Sequence, residues 1–359
     1  MPIKDFYEPS NNVNYLATFA NDTNPKVRQE FMTSLKVWTC DLDDKYDHHG
    51  RLVPYILSGL IDDDDKVKQT SVEILKEIGH QIEVEKEKEF RDSKQYAIDA
   101  AWTWEGELVS LPVEPPFMTR PSLGSRVFVR GHVRKFWTAL YKEVKDINIH
   151  NRTRAAHLLV YGIIFTENYM TQYLDIMIPQ LLPNILPLEI QDQLVCSLVE
   201  KCFFYLGRYC DVSAYLHVIT SAIKGEMVQN EHFLQAALRG LTKLVEGCFD
   251  AVPKGTGLCH KREQVGALLS LIDECEIYNE IYVGNCSDSL ALVEAFLDGL
   301  KTKGTREDHI DLMGSHALSL VKLLAVSYYE LNFQFKRPPD SEEYTRLRTH
   351  FALFAEIEP

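Results

Sequence analysis

The chain has 359 residues, enough for two domains of roughly 150 residues or for one elongated unit. It carries 38 Lys plus Arg against 52 Asp plus Glu, a net charge of −14, with 45% hydrophobic and 25% charged residues, the composition of a chain that folds. The acidic balance argues against a protein that coats nucleic acid or an anionic membrane, because phosphate binding is built from clustered Lys and Arg. No uncharged apolar run reaches about 18 residues, so no transmembrane helix is expected. The opening MPIKDFYEPSNN has no apolar core of a secretory signal, and a cytoplasmic protein is expected. Eight cysteines without a C-x-x-C pair read as buried structural thiols rather than a disulfide framework.

Taken in chain order, almost every apolar segment follows the helical period. Val27, Phe31, Leu35 and Trp38 fall at offsets of 4, 8 and 11. Val67, Ser71, Ile74, Leu75 and Ile78 form a second stripe, and Phe233, Ala237, Leu241 and Leu244 a third. NPKVRQEFMTSL (24–35) aligns with DDKVKQTSVEIL (64–75) at an offset of 40, each a polar turn followed by Val and a basic residue. Such a turn opens the second helix of a HEAT-type hairpin, with Asn, Asp and Pro closing the turn and capping the helix. Further second helices are expected at NRTRAAHLL (151–159) and near Ile190, Glu231 and Ser287. The predicted fold class is all-α, an α-solenoid of about seven hairpins with one long insert.

Four segments follow from that pattern. Residues 1–82 and 122–335 are expected to hold HEAT-type hairpins. Residues 83–121 form a charged and Pro-rich insert that Trp102 and Trp104 tack onto the stack, and 336–359 hold a C-terminal capping helix bearing Tyr344, Leu347, Phe351 and Phe354.

Chemistry-bearing motifs are sparse. CDLDDKYDHHGR (40–51) gathers acids with His48 and His49, but Lys45 and a late Gly break an EF-hand pattern, so it reads as a solvated loop. Asp62–Asp65 reads as helix capping. Gly255-Thr256-Gly257 lacks the P-loop context and reads as a loop. The His-Glu pairs of helical-repeat iron hydroxylases, H-E-x-x-H and G-x-S-x-G are all absent. No catalytic residue, metal ligand or cofactor site is assigned. One surface feature stands out: Arg120, Arg126, Arg130, Arg134 and Lys135 lie in a stretch with no acidic residue. Arg126, Arg130 and Arg134, spaced i, i+4, i+8, are expected to line one helix face, either a solvated face neutralised by neighbouring acidic repeats or one that docks an acidic partner.

The block RPSLGSRVFVRGHVRKFW…NRTRAAHLLVYGIIFTENYMTQYLDIMIPQLL (120–182), preceded by a charged helix and a Pro-rich loop, resembles the HEAT-repeat dynein axonemal assembly factors. The resemblance is closest there and fades after about residue 250. It implies a non-enzymatic cytoplasmic factor for preassembly of axonemal dynein arms, needed for cilium or flagellum motility. It also implies that the chain is the C-terminal part or a short homologue. Axonemal dynein chains, chaperones and other assembly factors are the implied partners, on the concave face, with no nucleic acid, membrane or small-molecule substrate. The alternatives are a general HEAT-repeat adaptor and a metal-dependent helical-repeat enzyme.

Overall fold

The computed structural model describes residues 7–8, 13–95, 115–117, 119–187, 192–226, 231–253, 255–282 and 284–330, with isolated positions between 345 and 354. Trp102, Trp104 and most of the expected capping helix lie outside the described residues. The described chain forms two compact units, Met1–Thr166 and Glu167–Pro359. Each is a stack of antiparallel helical hairpins, the α-solenoid architecture predicted above. A short antiparallel ladder pairs β1 (Tyr7–Glu8) with β2 (Val13–Asn14) and departs from the all-α expectation by two residues per strand.

In the first unit the aligned repeat positions start the helices. Asn24 and Asp64 sit in extended backbone, and their side chains accept from Lys26 N–H and from Lys66 and Val67 N–H. Each thereby satisfies amides that the first helical turn leaves unpaired. Pro25 occupies the position where a missing N–H costs nothing. These caps begin α2 (Pro25–Cys40) and α4 (Asp65–Glu85), which pack on each other and on their first helices. The first helices are α1 (Tyr15–Ala20) and α3 (Lys45–Gly59). The predicted stripe from Val67 to Ile78 is buried throughout. A helical extension, α5 (Glu87–Asp92), follows with only Phe90 buried.

Beyond the insert come α6 (Leu123–His132), α7 (Trp137–Glu143) and α8 (Ile149–Thr166). The expected single first helix is broken by a 3-10 turn at Val133–Lys135. The break lets Trp137, 2% exposed, turn its ring onto the bare backbone of Gly162 in α8. Helices α4 and α6 meet backbone to backbone, because a Cβ on Gly124 would collide with the Gly79 carbonyl. Ser125 Oγ donates to Leu75 O across that contact at 2.7 Å, and Glu83 accepts from Gly124 N–H at 2.7 Å. Phe117, at the end of the insert, packs edge-on against Tyr161 and Phe165 of α8.

The second unit repeats more regularly. First helices α9 (Leu174–Leu181), α11 (Val212–Ile223), α13 (Arg262–Glu274) and α15 (Arg306–Tyr329) pack in one row. Second helices α10 (Gln193–Tyr209), α12 (Glu231–Asp250) and α14 (Cys286–Lys303) pack in the other. Their starts fall within three residues of the predicted Ile190, Glu231 and Ser287. Gly207 and Gly247 bring α10 and α12 together, since a Cβ on either would meet the facing backbone carbonyl. By length and composition α15 could cross a membrane. Here it packs on α13 and α14, with Leu320, Leu323 and Leu324 fully buried.

Candidate protein-interaction surface

The basic segment departs from a single exposed stripe. Arg126 is only 2% exposed, and its Nε donates to Pro121 O at 3.0 Å. The cause is packing: α6 is covered by α4, α8 and α3, so the flank carrying Arg126 lies inside. The α-helix stops at His132, and the 3-10 turn takes Arg134 off the line of Arg126 and Arg130. Arg120 and Arg130 are half-buried, and both are engaged in contacts. The solvent-facing remainder is Arg134 and Lys135, with Lys135 lying over Gly50 of α3.

Behind this segment sits a histidine pair. His49 is 5% exposed, and its Nε2 is 2.9 Å from Thr39 O; its ring stands 6.1 Å from that of His132, with Phe128 against both. Burial, then the neighbouring His49 and Lys135, push the His132 imidazole down to about 4. Burial likewise lowers His49. The stretch 40–51 therefore does not converge on an ion. His48 turns to Asp44 at 3.1 Å, whereas His49 faces inward. Among the described residues no group of three or more His, Cys, Asp or Glu side chains is placed to hold a metal.

The Asp62–Asp65 run does more than cap. Asp64 caps α4, but Asp62 takes a bidentate pair from Arg28 at 2.8 and 2.9 Å, and Asp63 joins it. Comparable pairs join Arg208 to Asp250, Arg239 to Asp288 and Arg262 to Asp308 in the second unit. Sequence reasoning missed this ladder. Its only trace was a basic residue on one helix and an Asp in a turn or helix some 34 to 49 positions later, a spacing that many unrelated pairs share.

The Gly255–Gly257 loop is held from below by Asp308, 1% exposed. Both glycines adopt positive φ, 81° and 70°, which a side chain would resist. Asp308 accepts from Leu258 N–H at 3.0 Å, Thr305 N–H at 2.8 Å, Thr305 Oγ1 at 2.8 Å and Arg262 Nε at 2.6 Å. Burial alone would raise its carboxyl, but these donors outweigh it and hold the group at about 2. The site is a structural clamp and not a phosphate loop.

All eight cysteines are free, and seven are buried. Cys259 is the exception to the expected set, exposed at a positive φ of 44°. Burial pushes Cys196 and Cys248 up to about 11 and Cys210 to about 12. Thiols held so high stay protonated near neutral pH and make poor nucleophiles.

Residues 113–304 match the sequence model of the HEAT-repeat domain of dynein axonemal assembly factor 5. The chain belongs to the dynein axonemal assembly factor 5 family. The matched span passes the residue-250 limit expected from the sequence and reaches the end of α14. Residues 10–93 match a model described as the TPR repeats of dynein axonemal assembly factor 5-like proteins, where HEAT-type hairpins were expected. Among curated relatives, dynein axonemal assembly factor 5 of Xenopus laevis is 23% identical over 276 residues, 74% of this chain and 31% of its own. The Homo sapiens protein is 25% identical over 206 residues, 56% of this chain and 22% of its own. That of Mus musculus is 28% identical over 157 residues, 44% of this chain and 17% of its own. The chain thus spans about a third or less of the length of these relatives. A solved structure of Kap95p binding to RanGDP covers 98% of this chain and 48% of its own, at 12% identity and a TM-score of 0.30, too loose a likeness to build on.

Proposed function

We propose that this chain is a non-catalytic scaffold in the cytoplasmic preassembly of axonemal dynein arms, and that cilium or flagellum motility depends on it. The observation that carries this reading is the family match across 113–304, which coincides with hairpins from α6 to α14. Stacked hairpins share a continuous core and expose long quasi-regular surfaces, which suits them to hold protein chains rather than transform small molecules. The partners are axonemal dynein chains, with chaperones or other assembly factors, and no nucleic acid or membrane. The exposed end of the basic segment, Arg134 and Lys135, contacts an acidic stretch of one such partner.

Affinity purification of the tagged chain from the cytoplasm of flagellated cells, with mass spectrometry of the eluate, tests the reading. Axonemal dynein chains or their assembly factors should co-elute. Recovery of phosphatase subunits or transport machinery instead would favour the general adaptor and overturn the dynein assignment.

A further inference from the structure

The second unit carries a groove of about 620 Å³ along the row of second helices α10, α12 and α14. Its floor is apolar, made by Phe204, Phe249, Ala291 and Ala295, with the Phe249 ring seated on the bare backbone of Gly299 in α14. Its walls hold six carboxylates and three cations. Three of the carboxylates are matched internally: Asp250 by Arg208, Asp288 by Arg239 and Glu246 by Lys243. Lys303 is turned away to the Val252 carbonyl. The side-chain carboxylates of Glu200 and Asp298 have no hydrogen-bond or ion-pair partner among the described residues; Thr302 Oγ1 donates only to the Asp298 backbone carbonyl. Glu200 is half-buried beside the Phe204 floor, and burial raises its carboxyl despite Lys243 and Arg239 nearby.

A partly desolvated carboxylate without a partner is costly, and an incoming cation would offset that cost. The floor asks for apolar side chains at the same time. An anionic lipid surface or nucleic acid would face the uncompensated carboxylates and be repelled. We propose that this groove docks a partner-protein segment that presents Lys or Arg side chains around an apolar anchor. The anchor lies on Phe204 and Phe249, and the cations reach Glu200 and Asp298. The inference rests on the scaffold reading above and deepens it by naming the chemistry of the bound segment.

The test uses the purified full chain and a fluorescent synthetic amphipathic helix of Leu and Lys, with a Leu and Glu helix as its counterpart. The Lys peptide should bind and weaken with salt, and the Glu peptide should not. The Glu200→Lys, Asp298→Lys double variant should lose about tenfold or more in affinity, because like charges then face each other. The near-isosteric Glu200→Gln, Asp298→Asn pair should weaken binding in the same direction, and serves if the reversal fails to fold. Glu30→Lys with Glu77→Lys makes the same change in net charge on exposed faces of α2 and α4, and should leave affinity within about twofold. Equal loss in that control, or undiminished binding by both groove variants, would overturn the proposal. Because the readout is direct peptide binding, it can fail while dynein chains still co-elute with the tagged chain, or succeed where they do not.

Discussion

Asp308 offers the sharpest quantitative test of how the second unit is held together. Replacing it with Ala removes the Thr305 capping box, takes the buried one of Arg262's carboxylate partners while Asp311 and Glu307 remain, and leaves the Leu258 N–H, on a residue 1% exposed, without its acceptor. Lowering the carboxyl from 3.8 to about 2 corresponds to about 2 kcal/mol at neutral pH. The orphaned amide and lost cap add about 1–2 kcal/mol, because part of each is already counted in the shift. Asp308→Ala should therefore cost about 3–4 kcal/mol. Asp308→Asn, which keeps an acceptor but not the charge, should cost about 2. The folded value lies below the unfolded one, so the charge contribution is complete above 3.8 and is lost as pH falls from 3.8 through about 2. Urea denaturation of both variants beside the unsubstituted chain, between pH 7 and pH 2.5, measures each difference. An Ala variant within about 0.5 kcal/mol of the parent, or an Asn gap that stays constant across that pH range, would refute the clamp.

Four further outcomes are expected. His132, held at about 4 against 6.5 when unfolded, contributes no titration cost above 6.5 and destabilises the fold by up to about 3 kcal/mol as pH falls toward 4; His132→Leu should flatten that part of the pH profile of the melting temperature. Leu159 is fully buried in α8, so Leu159→Asp should cost several kcal/mol and abolish the melting transition of the first unit. Gly247→Ala should cost about 1–3 kcal/mol by pushing α12 off α10, read as a lower urea midpoint. Arg126→Glu should unfold the first unit, whereas Arg134→Glu with Lys135→Glu should leave circular dichroism unchanged and weaken dynein co-elution; equal melting curves for the two would contradict the burial of Arg126.

Helix positions were legible because burial in a stacked hairpin repeats with the helical period, and the caps carry their own signal. Asn24 and Asp64 could be placed from sequence since a cap bond spans two or three residues. The break between α6 and α7 was not legible. It depends on Trp137 finding Gly162, a contact 25 residues away that no local pattern encodes. The groove was equally hidden, because Glu200, Glu246 and Asp298 come from three helices and converge only when those helices pack.

Arg126 shows why a charge pattern alone misleads in a helical repeat. The spacing i, i+4, i+8 fixes an angle around a helix axis but not whether that angle faces solvent. In an isolated surface helix the apolar stripe settles the question. In α6, covered by α3, α4 and α8, too little of the circumference remains for three arginines to share an open face. Long Arg side chains also tolerate burial where a fixed acceptor meets the guanidinium, as Pro121 O does for Arg126 and Asp62 for Arg28. Buried arginine is thus part of how these hairpins are joined. An arginine row in a stacked helix should be assigned to binding only after the neighbouring helices have been counted.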